Sequence, residues 1–268
     1  LGRRNLIING AMQVAQRGDQ TALTDGFACD RFNVVEGSAT AVVNVNKSTD
    51  SPDGFSNSMQ VDVTTAQASI SAAEVSYIRY KIEGQDIQHL KYGTASAQSV
   101  TLSFWVKSSV TGTYVANLYH NDAVRINRQT YTVSTADTWE YKTLTFSGDT
   151  SNGFDNDNNV SLSVHWVLAT GTDYTGGSLA DDTWGSYTSS DFALGQTANV
   201  LNDTANNFYI TGVQLEVGTV ATPHEHISYG EQLALCQRYY EQIQLLTNMA
   251  CTGQCYTTSA ARGGIRYA

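Results

Sequence analysis

A chain of 268 residues with 41 % apolar content has material for one large core or two modest ones, and only 15 % of it is charged. A net charge of −10 repels phosphate backbones and anionic membrane surfaces, which argues against nucleic acid as a partner, and no apolar run approaches the length of a membrane span. Two prolines exclude a Pro-rich linker, and four cysteines in a chain this long are too few for a disulfide scaffold.

In chain order, Leu1-Gly2-Arg3-Arg4 carries charge without the apolar stretch of a secretory signal, and the sequence reads as one segment of a longer polypeptide. Asn5-Leu6-Ile7-Ile8-Asn9 reads as a short apolar strand, so residues 1–26 form an N-terminal arm and first strand. From there the apolar pattern has a period of two. Phe32 and Val34 alternate, then Val43 and Val45, then Met59, Val61 and Val63. Leu102, Phe104 and Val106 follow, then Leu144 and Phe146. Val160, Leu162, Val164, Trp166 and Leu168 make the longest set, and Val213, Leu215 and Val217 close the series. Each set turns one face to a core and the other to water. Turn clusters such as Ser51-Pro52-Asp53-Gly54 separate them, with no helical stretch between. This pattern predicts an all-β fold, an antiparallel β-sandwich over residues 27–220.

The end changes character. Ser228 and Glu231 form a capping box opening a helix expected over about 228–246, within an exit segment 221–268 that leads on into a further region. Leu233, Cys236, Tyr240 and Ile243 fall on one apolar stripe of that helix. Its partner is either the sandwich itself or the same helix in neighbouring subunits, so these four residues are candidate oligomer contacts.

Catalytic patterns are missing. No Gly-x-Ser-x-Gly elbow occurs, and Gly176-Gly177 lacks a phosphate-loop lysine. The acidic clusters Asp155-Asn156-Asp157 and Asp181-Asp182 lie in turn-like surroundings rather than opposed across a predicted cleft. His224-Glu225-His226 places two imidazoles on one side of an extended segment, where a solvated pair competes with metal binding. No enzymatic activity is expected.

Several segments resemble a recurrent module of bacteriophage tail-fibre and tail-spike proteins. The opening Arg4-Asn5-Leu6-Ile7-Ile8-Asn9-Gly10-Ala11-Met12-Gln13-Val14-Ala15-Gln16-Arg17-Gly18 matches its start, and Asp30-Arg31-Phe32 its next landmark. Phe208 to Gly218 resembles its last strand, and Ala221 to His226 with Tyr229 to Tyr240 its exit. The middle, Leu102 to Ser108 with Trp139-Glu140-Tyr141, is similar to jelly-roll carbohydrate-binding modules. The resemblance implies a jelly-roll sandwich, a location in the virion tail outside the cell, a homotrimer among other virion tail proteins, and attachment to a bacterial surface glycan. A carbohydrate-binding module of a secreted bacterial enzyme is the alternative.

Sugar binding would use aromatic rings outside the core, since pyranose C–H faces stack on them. Trp184, Tyr187 and Tyr174 lie in or beside a polar segment, and Trp105 points opposite to Leu102, Phe104 and Val106. Sandwiches of this kind also often carry a structural calcium ion. Asp155, Asp157 and Asn159 offer hard oxygen ligands for one, against the alternative of an Asx-rich turn.

Overall fold

The computed structural model describes residues 3–23, 25–37 and 40–242 in full, and the backbone of 253–257 and 260–263. The period-two segments form strands. In chain order these are β1 (Gln20–Leu23), β2 (Asp25–Gly26), β3 (Phe32–Glu36), β4 (Val42–Ser48), β5 (Ser58–Thr65), β6 (Val75–Glu83), β7 (Val100–Ser108), β8 (Gly112–His120), β9 (Arg125–Val133), β10 (Glu140–Phe146), β11 (Val160–Thr170), β12 (Gly185–Ser186) and β13 (Asn207–Val217). They make two antiparallel sheets, ordered β1-β4-β5-β13-β7-β10 and β12-β9-β8-β11-β6-β3-β2, which is the jelly-roll β-sandwich expected. A separate hairpin pairs Gly253–Thr257 with Ala260–Gly263.

The core lies between the sheets. Trp166, Phe32, Tyr80, Phe104, Phe146 and Phe208 are all fully buried there. Trp166 sits mid-sheet on β11, opposite Ile78 on β6 and Ala116 on β8. Large rings from both sheets meet around it, with Phe32 at 6.2 Å and Phe104 at 6.0 Å between centroids. One strand changes face along its length. In β13 the core side chains are Phe208 and Ile210, then Val213 and Leu215, and the parity switch coincides with a register shift between Thr211 and Gln214. Gly212 in that shift has φ +61, and a Cβ there would lie 2.7 Å from the Phe55 ring.

The N-terminal arm departs from its expected form. Residues 5–9 are not a strand, although Ile7 and Ile8 are buried. The ladder between β5 and β13 ends at the Ile210–Met59 pair. Beyond it the Asn5 side chain takes over as the partner of β13, donating to the Val213 carbonyl at 3.0 Å and accepting from the Leu215 amide at 3.0 Å. Leu6 N–H donates to the Leu215 carbonyl, and Val213 N–H to the Gly10 carbonyl, both at 2.9 Å. A side-chain amide thus substitutes for strand backbone, which is why an apolar run reading as a strand is none.

The exit helix is α1 (Tyr229–Gln237), capped by Ser228 through the Glu231 amide and ending well before residue 246. Two cation–π contacts hold the chain that follows. Arg31 lies 3.4 Å from the Tyr239 ring centre and Arg17 lies 3.4 Å from that of Tyr240. Arg238 pairs with Glu83 at 2.5 Å. These tertiary contacts outweigh continued helix, which gains only local hydrogen bonds. Of the candidate oligomer contacts, Cys236 is corrected: it is 1 % exposed inside this chain's own core, so no neighbour can reach it. Leu233 packs partly buried against the same core, Tyr240 is held under Arg17, and Ile243 lies outside the described residues.

Candidate functional site

The outer face of the seven-stranded sheet carries a cleft of about 280 Å³. Its floor follows from strand alternation. Ile78, Tyr80 and Ile82 of β6 face the core, so Tyr77, Arg79 and Lys81 face outward. Registry across the strands sets Arg79 opposite His165 and Lys81 opposite Ser163 of β11. It then sets His165 opposite Asn117 and Ser163 opposite Tyr119 of β8. The floor is therefore a lattice in which aromatic, cationic and hydroxyl groups alternate.

One wall is a loop spanning residues 171–196, folded back over the sheet. Phe192 anchors it, with ring centroids 5.3 Å from Tyr77 and 5.4 Å from His165. Asn117 Nδ2 donates to the Phe192 carbonyl at 2.9 Å, and Arg128 Nη1 to the Leu194 carbonyl at 3.0 Å. Within the loop, Asp191 Oδ1 accepts the Ser178 and Leu179 amides, both at 2.8 Å. This cover explains why β11 is buried on both faces, where alternation alone predicts one wet face. Tyr187 leaves the loop to meet Tyr119 edge-on, 5.2 Å between centroids. The tyrosines Tyr77, Tyr119 and Tyr187 are half-buried, each with ring surface toward the cleft.

Electrostatics in the floor follow burial. His165 Nδ1 lies 2.7 Å from Asn117 Oδ1, and burial, aided by Arg79 and Lys81, drives its pKa down to about 3. Its imidazole is therefore neutral and bonds as an N–H donor rather than a charge. Burial, then the like charge of Arg79, lowers the pKa of Lys81. The hydroxyls of Tyr77, Tyr119 and Tyr187 are pushed upward, chiefly by burial, and stay protonated as donors.

The sequence-derived aromatic candidates do not converge. Tyr187 lines this cleft. Tyr174 stands behind it, 6.1 Å from Phe192, with its hydroxyl 3.3 Å from the Ala73 carbonyl. Trp184 is elsewhere: its indole N–H donates to the Ser147 carbonyl at 2.6 Å and its ring meets Tyr92 edge-on. Trp105 lies on the opposite sheet, in a second cleft of about 580 Å³ with Tyr141, Phe55, His224 and His226. There the imidazoles are 4.8 Å apart, and both pack on Phe55. The residues missed in sequence were Tyr77, Arg79, Lys81 and Tyr119. For the first three the signal was the alternation Tyr77-x-Arg79-x-Lys81 against Ile78-x-Tyr80-x-Ile82.

The acidic turn behaves as an Asx turn. Asp157 Oδ1 accepts the Asn159 amide at 2.9 Å and its Oδ2 accepts Asn159 Nδ2 at 2.5 Å, so both carboxylate oxygens are engaged within the turn. Asp155 is exposed and its amide donates to Asp122. Among the described residues, no group of three or more His, Cys, Asp or Glu is arranged to hold a metal ion. No described helix is long and apolar enough to cross a membrane.

The architecture defines the class as an antiparallel jelly-roll sandwich with a loop-walled cleft on one outer face. No protein-family model matches the chain. No curated protein matches it either. Among solved structures it is similar to the enzymatically active domain of tailspike protein 4 of bacteriophage CBA120, with 10 % identity and a TM-score of 0.43. That match covers 80 % of this chain but 22 % of the tailspike chain. A putative sugar binding protein from Bacteroides thetaiotaomicron gives 11 % identity and a TM-score of 0.42, covering 80 % of this chain and all of the other. A family 11 carbohydrate-binding module from Clostridium thermocellum, in complex with a β-1,3-1,4-mixed-linked tetrasaccharide, gives 13 % and 0.35 over 76 % of this chain and 98 % of its own. At such identity and overlap the likeness assigns no ligand to this chain.

Proposed function

We propose that this chain is a glycan-binding jelly-roll module of a bacteriophage tail fibre or spike, which attaches to a bacterial surface by binding without bond cleavage. One observation carries the glycan reading: three half-buried tyrosine rings, Tyr77, Tyr119 and Tyr187, border the same cleft as the hydrogen-bonding groups of Asn121 and Ser163. Ring faces take the C–H faces of a pyranose, and polar groups between them fix its hydroxyls. The tail reading is supported by the segments that resemble the phage module, which interlock here as one unit. Arg4 and Asn5 donate backbone N–H groups to Glu225, Gln16 donates to the Tyr240 carbonyl, and Asn5 bridges to β13.

Isothermal titration against purified bacterial surface polysaccharides tests the cleft. Tyr119→Ala should weaken binding by about fivefold or more, with an unchanged melting temperature, because stacking on one ring is worth about 1 kcal/mol or more. Full affinity in that variant would reject the cleft. Release of new reducing ends during incubation would reject a purely binding role. The cleft serves the secreted-enzyme alternative equally well. Light scattering separates the two, since a trimer that survives dilution fits the fibre and a strict monomer fits the other.

A further inference from the structure

We infer that the saccharide received by the outer cleft is anionic, its acidic group held between Arg79 and Lys81. The inference rests on the cleft being the glycan site proposed above.

Charge placement is the first ground. The whole chain carries −10, yet Arg79 and Lys81 stand side by side in the cleft lining and no carboxylate lines it. They are successive outward residues of one strand, about 7 Å apart by strand geometry. An acidic group on a bound ring can therefore reach both.

The second ground is that neither cation is held in an ion pair among the described residues. Ion pairs occupy Arg4, Arg17, Lys107, Arg125, Arg128, Lys142 and Arg238, but among the described residues none is formed by Arg79 or Lys81. Asp25 acts electrostatically on Lys81 without pairing with it, and its Oδ1 accepts from Asn33 Nδ2 at 2.6 Å. Arg79 Nη2 donates to Asn33 Oδ1 at 2.7 Å, while its buried Nε has no partner. A buried guanidinium N–H without an acceptor and two like charges in one half-buried site are both unfavourable. An anion entering the cleft relieves the second, whereas a neutral sugar leaves it as it is. His165, held neutral and bonded to Asn117, adds neither charge nor competing acid.

The test uses matched pairs in which only charge differs. Tetragalacturonate is compared with its methyl ester, and sialyllactose with lactose, for carboxylates. Oligosaccharides of a sulfated galactan are compared with their desulfated forms for sulfates. Titration of the intact chain should show at least one acidic member binding about tenfold or more tightly than its neutral partner, the expected size for a charge-assisted contact. That preference should shrink as salt is raised. Lys81→Met keeps the aliphatic stem and should bring the ratio toward one. Arg79→Gln serves as a second variant, checked for native melting. Neutral members binding as well as acidic ones, with loss in Tyr119→Ala, would overturn the inference while leaving the glycan site in place. No binding by any member, or binding indifferent to Tyr119→Ala, would overturn both.

Discussion

Replacing Asn5 by Ala should cost about 3 kcal/mol of folding stability, although the residue lies outside every strand. Asn5 is 5 % exposed, and its Oδ1 accepts two backbone N–H groups, Ile7 at 2.9 Å and Leu215 at 3.0 Å, while its Nδ2 donates to the Val213 carbonyl. Alanine orphans both buried N–H groups. Each such loss costs about 1–3 kcal/mol, and the two are not additive because one arm movement relaxes both. About 3 kcal/mol is a large share of the roughly 5–15 kcal/mol that holds a domain folded. Urea denaturation followed by tryptophan fluorescence measures it, as a lower midpoint at unchanged slope. Asn5→Asp sharpens the test. It keeps the acceptor but places a carboxylate against the Val213 carbonyl and close to Glu225, whose Oε2 accepts the Asn5 amide at 2.8 Å. Such an acid has a folded-state pKa above its unfolded value, so the folded form binds the extra proton. The variant should then recover toward wild type as pH falls through that raised pKa. A loss below about 1 kcal/mol for Asn5→Ala, or an Asn5→Asp as stable as wild type at pH 7, would refute the arm's role as a substitute strand.

Gly212→Ala should destabilise by about 1–3 kcal/mol, because its φ of +61 is strained for alanine and the new Cβ meets Phe55 at 2.7 Å; an unchanged melting curve would contradict this. Acid should weaken the fold through buried neutral imidazoles. His224 is depressed to about 4, by burial first and then by His226, and His165 to about 3, so the unfolded chain binds protons that the folded chain refuses. Stability is therefore full above about pH 6.5 and falls as pH drops toward 4, each histidine contributing a slope of at most about 1.4 kcal/mol per pH unit. His224→Phe should flatten the curve measured by denaturation at pH 7, 5.5 and 4.5, and an identical curve would remove His224 from the account. Thiol labelling supplies another check. Cys29 and Cys236 are buried with pKa values raised mainly by burial, so native protein should leave both unmodified until denaturant is added.

Much of the sandwich was legible because one apolar face per strand is a local signal. Phe32, Val45, Val61, Phe104, Phe146, Leu162 and Leu215 all reach the core that alternation assigned to them. Strands β6, β8 and β9 lack a clean apolar rhythm, since tyrosines share their core face with aliphatic residues while Val75, Val115 and Ile126 lie on the outer one. The cleft was legible only through Tyr187. Its floor belongs largely to those strands, and its wall is a loop whose docking depends on contacts such as Asn117 to Phe192, 75 positions apart. No local pattern encodes a contact that distant. Position outside the core drew attention to Trp184, but the Ser147 carbonyl that takes its indole N–H lies 37 positions away.

The clasp joining Arg4 and Asn5 to Glu225 has a mechanical corollary. Arg4 Nη2 also donates to the Pro223 carbonyl at 2.6 Å, so the incoming and outgoing backbones run side by side. Tension pulling Arg4 away from Glu225 would load these hydrogen bonds before any strand of the two sheets.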